Sequence, residues 1–181
     1  PFYYSSGDTN LLMAILKSKM GPNDYQDFPW RFLFHPLGIT RAVWEQDQKG
    51  IFIGSSYLYL SPRDLLKLGQ FFLAQGRSRK GDQIVPESWI KKMQVPAMGL
   101  SENSPWMQKK GKLYGGHVWL NQPFKGKKFF PDVGDDVYMA KGHEGQIMAI
   151  FPSENLVVVR LAFDQEKYDF NRFLSVAQNC F

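Results

Sequence analysis

The chain has 181 residues, 44% hydrophobic and 22% charged, a globular composition with length enough for one sizeable core. Its formal net charge is +5, gathered in Arg77, Arg79 and Lys80, in Lys109, Lys110 and Lys112, and in Lys125, Lys127 and Lys128. These clusters sit beside glycines or in aperiodic stretches and read as solvated loops; with no recognition signature beside them, no nucleic-acid partner is expected.

The first helix is expected after Ser5, with Asp8 as the capping carboxylate and Leu11, Leu12, Ile15 and Leu16 at helical spacing. Gly21-Pro22 stops it. Residues 23–35 are rich in aromatics (Phe28, Trp30, Phe32, Phe34) and read as packing, without an assigned element. His35-Pro36-Leu37-Gly38 is a turn, and Trp44 to Ile53 is extended or looped. Ser61-Pro62 opens a second helix that runs to Gly76, with Ser61 as cap. A short helix runs from Pro86-Glu87 to about Met93, and residues 96–112 read as loop.

From Tyr114 the apolar period changes to two. His117–Leu120, Val137–Phe151 and Leu156–Phe163 are expected strands, the last two joined by the turn Pro152-Ser153-Glu154-Asn155. An amphipathic helix over 167–178, with Phe170, Phe173, Leu174 and Ala177 on one face, closes the chain. Helices followed by an antiparallel sheet and a last helix give an α+β class: one structural domain, mainly helical over 1–113 and strands plus helix over 114–181.

Metal chemistry has little support in the residues. There are three histidines, His35, His117 and His143, and His143-Glu144 lacks the second histidine of a zinc helix, because position 147 is Ile. No phosphate loop, dinucleotide fingerprint or calcium loop is present. The single cysteine, Cys180, allows no intrachain disulfide, and no apolar run reaches a membrane span. The chain opens at Pro1 with no visible signal peptide, and reads as a fragment or a processed product.

A set of short segments carries the functional signal. They are Tyr4-Ser5-Ser6-Gly7-Asp8, Phe34-His35-Pro36-Leu37-Gly38-Ile39, Gly54-Ser55-Ser56 running to Arg63-Asp64-Leu65, Ile84-Val85-Pro86-Glu87-Ser88-Trp89, Tyr114-Gly115-Gly116-His117-Val118-Trp119, and Gly142-His143-Glu144-Gly145-Gln146 followed by Leu156–Arg160. Each is weak alone. In this order they resemble the β-lactamase-related serine hydrolases, the class C β-lactamases and their penicillin-binding-protein-like esterase relatives, over nearly the whole chain.

The resemblance implies a β-lactamase/transpeptidase-like fold, present here in part. It also implies a serine hydrolase that cleaves an ester or amide through an acyl-enzyme and needs no cofactor. A serine hydroxyl is a poor nucleophile until a base takes its proton, and the charge that develops is best met by fixed amide donors. Tyr4 matches the general base or proton relay, with Tyr3 its rival in register. Ser6 matches the polar residue of that motif, and His143 the polar residue of the third motif. Gly145 lets substrate approach closely, and the amide of Gln146 matches half of the oxyanion hole. Serine at 6 where class C β-lactamases have asparagine, and histidine at 143 in place of lysine, favour an ester, amide or peptide-like substrate over a β-lactam.

The nucleophilic Ser-x-x-Lys should precede Tyr4 and does not occur there. Ser88-Trp89-Ile90-Lys91 has the letters in the wrong place and reads as chance, so the chain alone is expected to be inactive. His35 and His117 read as structural, and Glu45 and Asp47 as loop residues. The resemblance further predicts that Tyr4 and His143 face one cleft, that His143 and Gly145 share a strand face, and that the Gln146 amide lies outside any ladder. The Leu156–Phe163 strand should lack its usual neighbour, which invites self-association or pairing with a missing N-terminal segment. The rival reading is an inactive binding or scaffold relative that uses the same cleft. Location is open, with the bacterial envelope favoured by family analogy alone.

Overall fold

The computed structural model describes residues 2–100, 112–164 and 168–180. The chain divides into two compact units, Tyr4–Lys67 on one hand and Pro1–Tyr3 with Leu68–Phe181 on the other.

In the helical unit, α1 spans Ser6–Met20. Its cap is Ser5 rather than Asp8: Ser5 is extended, and its hydroxyl accepts the Asp8 amide at 3.2 Å. Asp8 instead lies in the first turn, where its carboxylate meets the positive end of the helix. Gly21, at φ +83°, ends α1. Residues 23–35, unassigned from sequence, are also helical: α2 covers Pro22–Pro29 and a π-helical turn covers Trp30–Phe34. Pro29 has no amide hydrogen to give, and the coil widens after it, the amide of His35 reaching Trp30 at 2.9 Å.

The aromatic run is core except at Phe32, which is exposed. Phe52 is buried against Tyr25, Trp30 and Trp44, with ring centres 5.2, 5.6 and 5.1 Å away. The Tyr25 hydroxyl accepts the Phe52 amide at 3.0 Å. β1 (Val43–Trp44) and β2 (Leu58–Tyr59) form a short antiparallel pair. Between them Asp47 accepts the amides of Lys49 and Ile51 at 2.8 and 2.9 Å and so shapes its own loop.

Helix α3 spans Pro62–Leu73. Ser61 accepts the Asp64 amide at 3.1 Å and donates to the Asp64 carboxylate at 2.8 Å, a reciprocal cap. Hydrogen bonds from Lys67, and then from Ser61, hold that carboxyl below the usual carboxylate range.

The second unit holds α4 (Glu87–Met93) and a five-stranded antiparallel sheet of β3 (Leu113–Tyr114), β4 (Trp119–Leu120), β5 (Tyr138–Lys141), β6 (Ile147–Phe151) and β7 (Leu156–Arg160). Their order in the sheet is their order in the chain. The helix α5 (Phe170–Asn179) follows, capped by Asp169, whose carboxylate accepts the Arg172 amide at 3.0 Å.

Every residue of β6 is buried, so both its faces are covered. Ile147, Ala149 and Phe151 join Met139 and Leu174 in the main core. Met148, on the other face, meets Gly69, where a Cβ would stand 2.4 Å from Val157 and 3.3 Å from the Met148 sulfur. Only glycine lets α3 lie that close.

Three expected strands are shorter than the sequence pattern. His117 adopts φ +64° in a bend, so β4 starts at Trp119. Val137–Phe151 is two strands separated by a turn, because the polar Gly142–Gln146 stretch interrupts the alternation. β7 ends at Arg160 instead of Phe163 and pairs with β6; among the described residues no strand lies on its other side.

Tyr138 is buried, and its hydroxyl has no partner among the described residues. Burial pushes its phenol well above the usual range. An orphaned hydroxyl costs roughly 1–3 kcal/mol. Tyr138→Phe is therefore expected to leave stability unchanged or raise it by about 1 kcal/mol in a urea titration. A loss of that size would mean that the hydroxyl is satisfied.

Candidate functional site

The hairpin between β5 and β6 presents the third-motif residues. His143, Glu144 and Gly145 form one 3-10 turn, not a strand, so the face alternation expected of them does not apply. Glu144 and Gly145 take φ +53° and +89° in succession, which reverses the chain within the turn. The His143 side chain is 92% exposed and stands 3.5 Å from the Glu144 carboxylate. The Gln146 amide lies outside the ladder, which begins at the Lys141–Ile147 pair. It makes a long 3.5 Å bond to the His143 carbonyl, at the limit of what counts as one.

The turn is held from behind. The Asp164 amide donates to Glu144 at 3.0 Å, and Arg160 donates to the Gly145 carbonyl at 2.9 Å. Gln146 turns its side chain away from the turn's open side, accepting the Ala162 amide at 3.0 Å and donating to the Ala162 carbonyl. Arg160 and Asp164 form a two-pronged pair at 2.8 and 2.7 Å, which keeps the Asp164 carboxyl below its usual range. Gly145 thereby has a role that the resemblance did not give it: a Cβ there would lie 1.9 Å from an Asp164 oxygen. Arg160 and Asp164 were not foreseen. Their only signal was an arginine and an aspartate four residues apart at a strand end.

Tyr4 and Ser6 belong to the other unit. Tyr4 is 42% exposed beside the Ser5 cap, and Ser6 is an exposed first residue of α1, so Tyr4-x-Ser6 does stand at a helix mouth. The structure brings His143, Gly145 and Gln146 together, and Tyr4 and Ser6 together. Ser88 is exposed on α4, where Lys91 pairs with Glu87 at 2.6 Å. His35 and His117 are exposed in a turn and a bend. Among the described residues no His, Cys, Asp and Glu side chains gather as a metal site would need, and no helix is long and apolar enough to cross a membrane.

A second feature of this unit is a cavity of about 520 Å³ lined by Lys112, Phe129, Phe130, Lys141, Tyr168, Asp169, Phe170 and Asn171. The half-buried Lys141 ammonium stands 4.3, 5.1 and 5.2 Å from the ring centres of Phe170, Phe129 and Phe130. Lys112 stands 4.1 Å from the Phe129 ring. Burial first, and then the charge of Lys112, lower the Lys141 pKa to about 8.

No family model matches the chain, and neither does any curated protein. Solved structures share its fold, two of them as follows. One, titled "Putative 6-aminohexanoate-dimer hydrolase from Bacillus anthracis", superposes with a TM-score of 0.73 at 20% identity over 99% of this chain. The other, titled "Crystal structure of putative beta-lactamase from Bacteroides dorei DSM 17855", gives 0.59 at 15% identity over 88%. The chain spans 42% and 50% of their lengths. Its mixed helical and antiparallel architecture is thus that of part of a β-lactamase-like fold, the fold that the colinear motifs imply.

Proposed function

We propose that the chain forms part of a serine hydrolase that cleaves an ester or amide through an acyl-enzyme. The observation that carries this reading is the turn between β5 and β6: an exposed His143 ring followed by a Gln146 amide kept out of the sheet ladder. A fixed amide with a long, poor bond of its own is a donor that a developing oxyanion can take. In this reading that amide supplies one oxyanion donor, His143 binds the substrate's polar end, and Tyr4 relays the proton of a serine carried by a Ser-x-x-Lys segment ahead of it. Ser6 supplies a second polar contact. The aminohexanoate-dimer hydrolase among the neighbours and the departures at Ser6 and His143 favour an open-chain ester or amide over a β-lactam.

A fluorophosphonate probe read by intact mass tests this. The chain alone should take up none. A polypeptide that carries Ser-x-x-Lys ahead of Tyr4 should take up one equivalent, and Tyr4→Phe should slow labelling by roughly 100-fold. An adduct on Ser88 would overturn the assignment, as would full-rate labelling without the Tyr4 hydroxyl.

A further inference from the structure

The last strand of the sheet is built like an interior one. Leu156-Val157-Val158-Val159 is the continuous apolar run that strands covered on both faces carry. Both faces are covered here: Leu156 and Val158 pack on the main core, and Val157 lies against α3 at Gly69. β7 pairs with β6 residue for residue, with no bulge. No proline or lysine guards it, and it is as long as β6, whereas β3 at the other edge is blunted to Leu113–Tyr114.

The register decides which amides face outward. The Gln146 carbonyl accepts the Gly142 amide on the β5 side, so even-numbered residues of β6 turn to β5 and odd-numbered ones to β7. Through the pairs Ile147–Arg160, Ala149–Val158 and Phe151–Leu156, the even-numbered residues of β7 turn back to β6. The amides of Ala162 and Asp164 keep that phase, bonding to Gln146 and Glu144. Val157, Val159 and Leu161 therefore direct their amides and carbonyls away from the sheet, where they meet no partner among the described residues. Leu161 and Phe163, both exposed, carry the apolar row past the strand end.

We propose that β7 is an interface between two copies of this chain, joined edge to edge as antiparallel strands about a two-fold axis at Val159. Val159 then exchanges backbone bonds with the partner's Val159, and Val157 with the partner's Leu161. Charge favours a second copy here. Two molecules of net charge +5 repel, but the span Val157–Leu161 brings no uncompensated charge to the seam. Its one ion, Arg160, is neutralised by Asp164 at 2.7 Å and would stand opposite the partner's Val158. A two-fold seam also sets each residue of the span against one from the same apolar row. The pairing does not depend on the hydrolase reading.

Sedimentation equilibrium of the full chain tests this. A short seam associates weakly, so the range runs from about 1 µM to about 1 mM, over which a monomer should pass into a dimer. Amide exchange is followed by NMR over the same range. Val157, Val159 and Leu161 should gain protection as the dimer forms, while Leu156, Val158 and Arg160 are protected throughout. Leu161→Pro removes an outward donor and no internal bond, and should weaken the dimer at least about 10-fold, because a bond is lost on each side of the axis. Leu161→Val keeps the amide and should associate like the parent. Should Leu161→Pro fail to fold, the exchange pattern of the parent chain decides alone. A chain that stays monomeric overturns the proposal, as does a dimer that leaves the odd-numbered amides unprotected or ignores Leu161→Pro. Protection of those amides already in the monomer overturns it too, since the edge is then covered from within the chain.

Discussion

Replacing Gly145 by alanine is expected to destabilise the sheet unit by about 2–4 kcal/mol, through two effects that one double variant separates. The first is the backbone: at φ +89° an L side chain is strained. The second is space. The new methyl would fall 1.9 Å from Oδ2 of Asp164 and 2.8 Å from Nη1 of Arg160, so the Arg160–Asp164 pair must part or the turn must lift. Either motion breaks the bond from Arg160 to the Gly145 carbonyl and frees the His143–Gly145 turn. Gly145→Ala combined with Asp164→Ala removes the obstruction and leaves the strain. The two changes should therefore cost less together than the sum of their separate costs, a coupling readable from urea midpoints. Strict additivity, or an alanine variant as stable as the parent, would show that the turn is not braced in this way.

The second large effect is expected at Asn121. This side chain is buried and fully used: its amide group donates to Phe130, Val133 and Gly134 at 3.1, 3.0 and 2.9 Å, and its oxygen accepts the Phe130 amide at 2.7 Å. Asn121→Ala leaves one buried donor and several carbonyls without partners, at a cost of about 3–4 kcal/mol. Asn121→Asp should be worse, because an acceptor-only carboxylate would face three carbonyl oxygens. Thermal melts order the variants, and an aspartate variant at least as stable as the alanine one would refute the account.

The helices were legible because their signals are local. Ser61-Pro62 and Pro86-Glu87 state their own starts, Gly21 states a stop, and Phe170, Phe173 and Leu174 state a buried face. The stretch from α2 through the π-helical turn was not, since its aromatics Tyr25, Phe28, Trp30 and Phe34 serve a cluster closed by Trp44 and Phe52, farther along the chain. The sheet was legible as a late antiparallel run and in its last turn, and not in its number of strands, five where three were expected, nor in its breaks. Gly142 and Gly145 flank the β5–β6 turn, and two glycines three apart in an apolar run are the signal of a reversal. Of the site, the cluster His143, Gly145 and Gln146 could be read from a short motif. The brace from Arg160 and Asp164 could not, because it forms only when β7 folds back along β6. The lysine cavity was equally silent, for its walls come from three separate stretches around Lys112, Phe129 and Phe170.

The order of the sheet bears on how quickly the protein can reach its native state. Because each strand pairs with its neighbour in sequence, β3 to β7 can zip up by successive hairpins, with no strand waiting for a distant partner. Topologies dominated by such near pairings fold faster than those that must first close long loops. The widest gap lies between β4 and β5, from Leu120 to Tyr138. Closing a loop of that size costs little more than closing a short one, since the entropy grows only with the logarithm of length. Asn121, at the loop's own start, gathers its backbone at Phe130, Val133 and Gly134, so most of the detour is reeled in before β5 has to find β4.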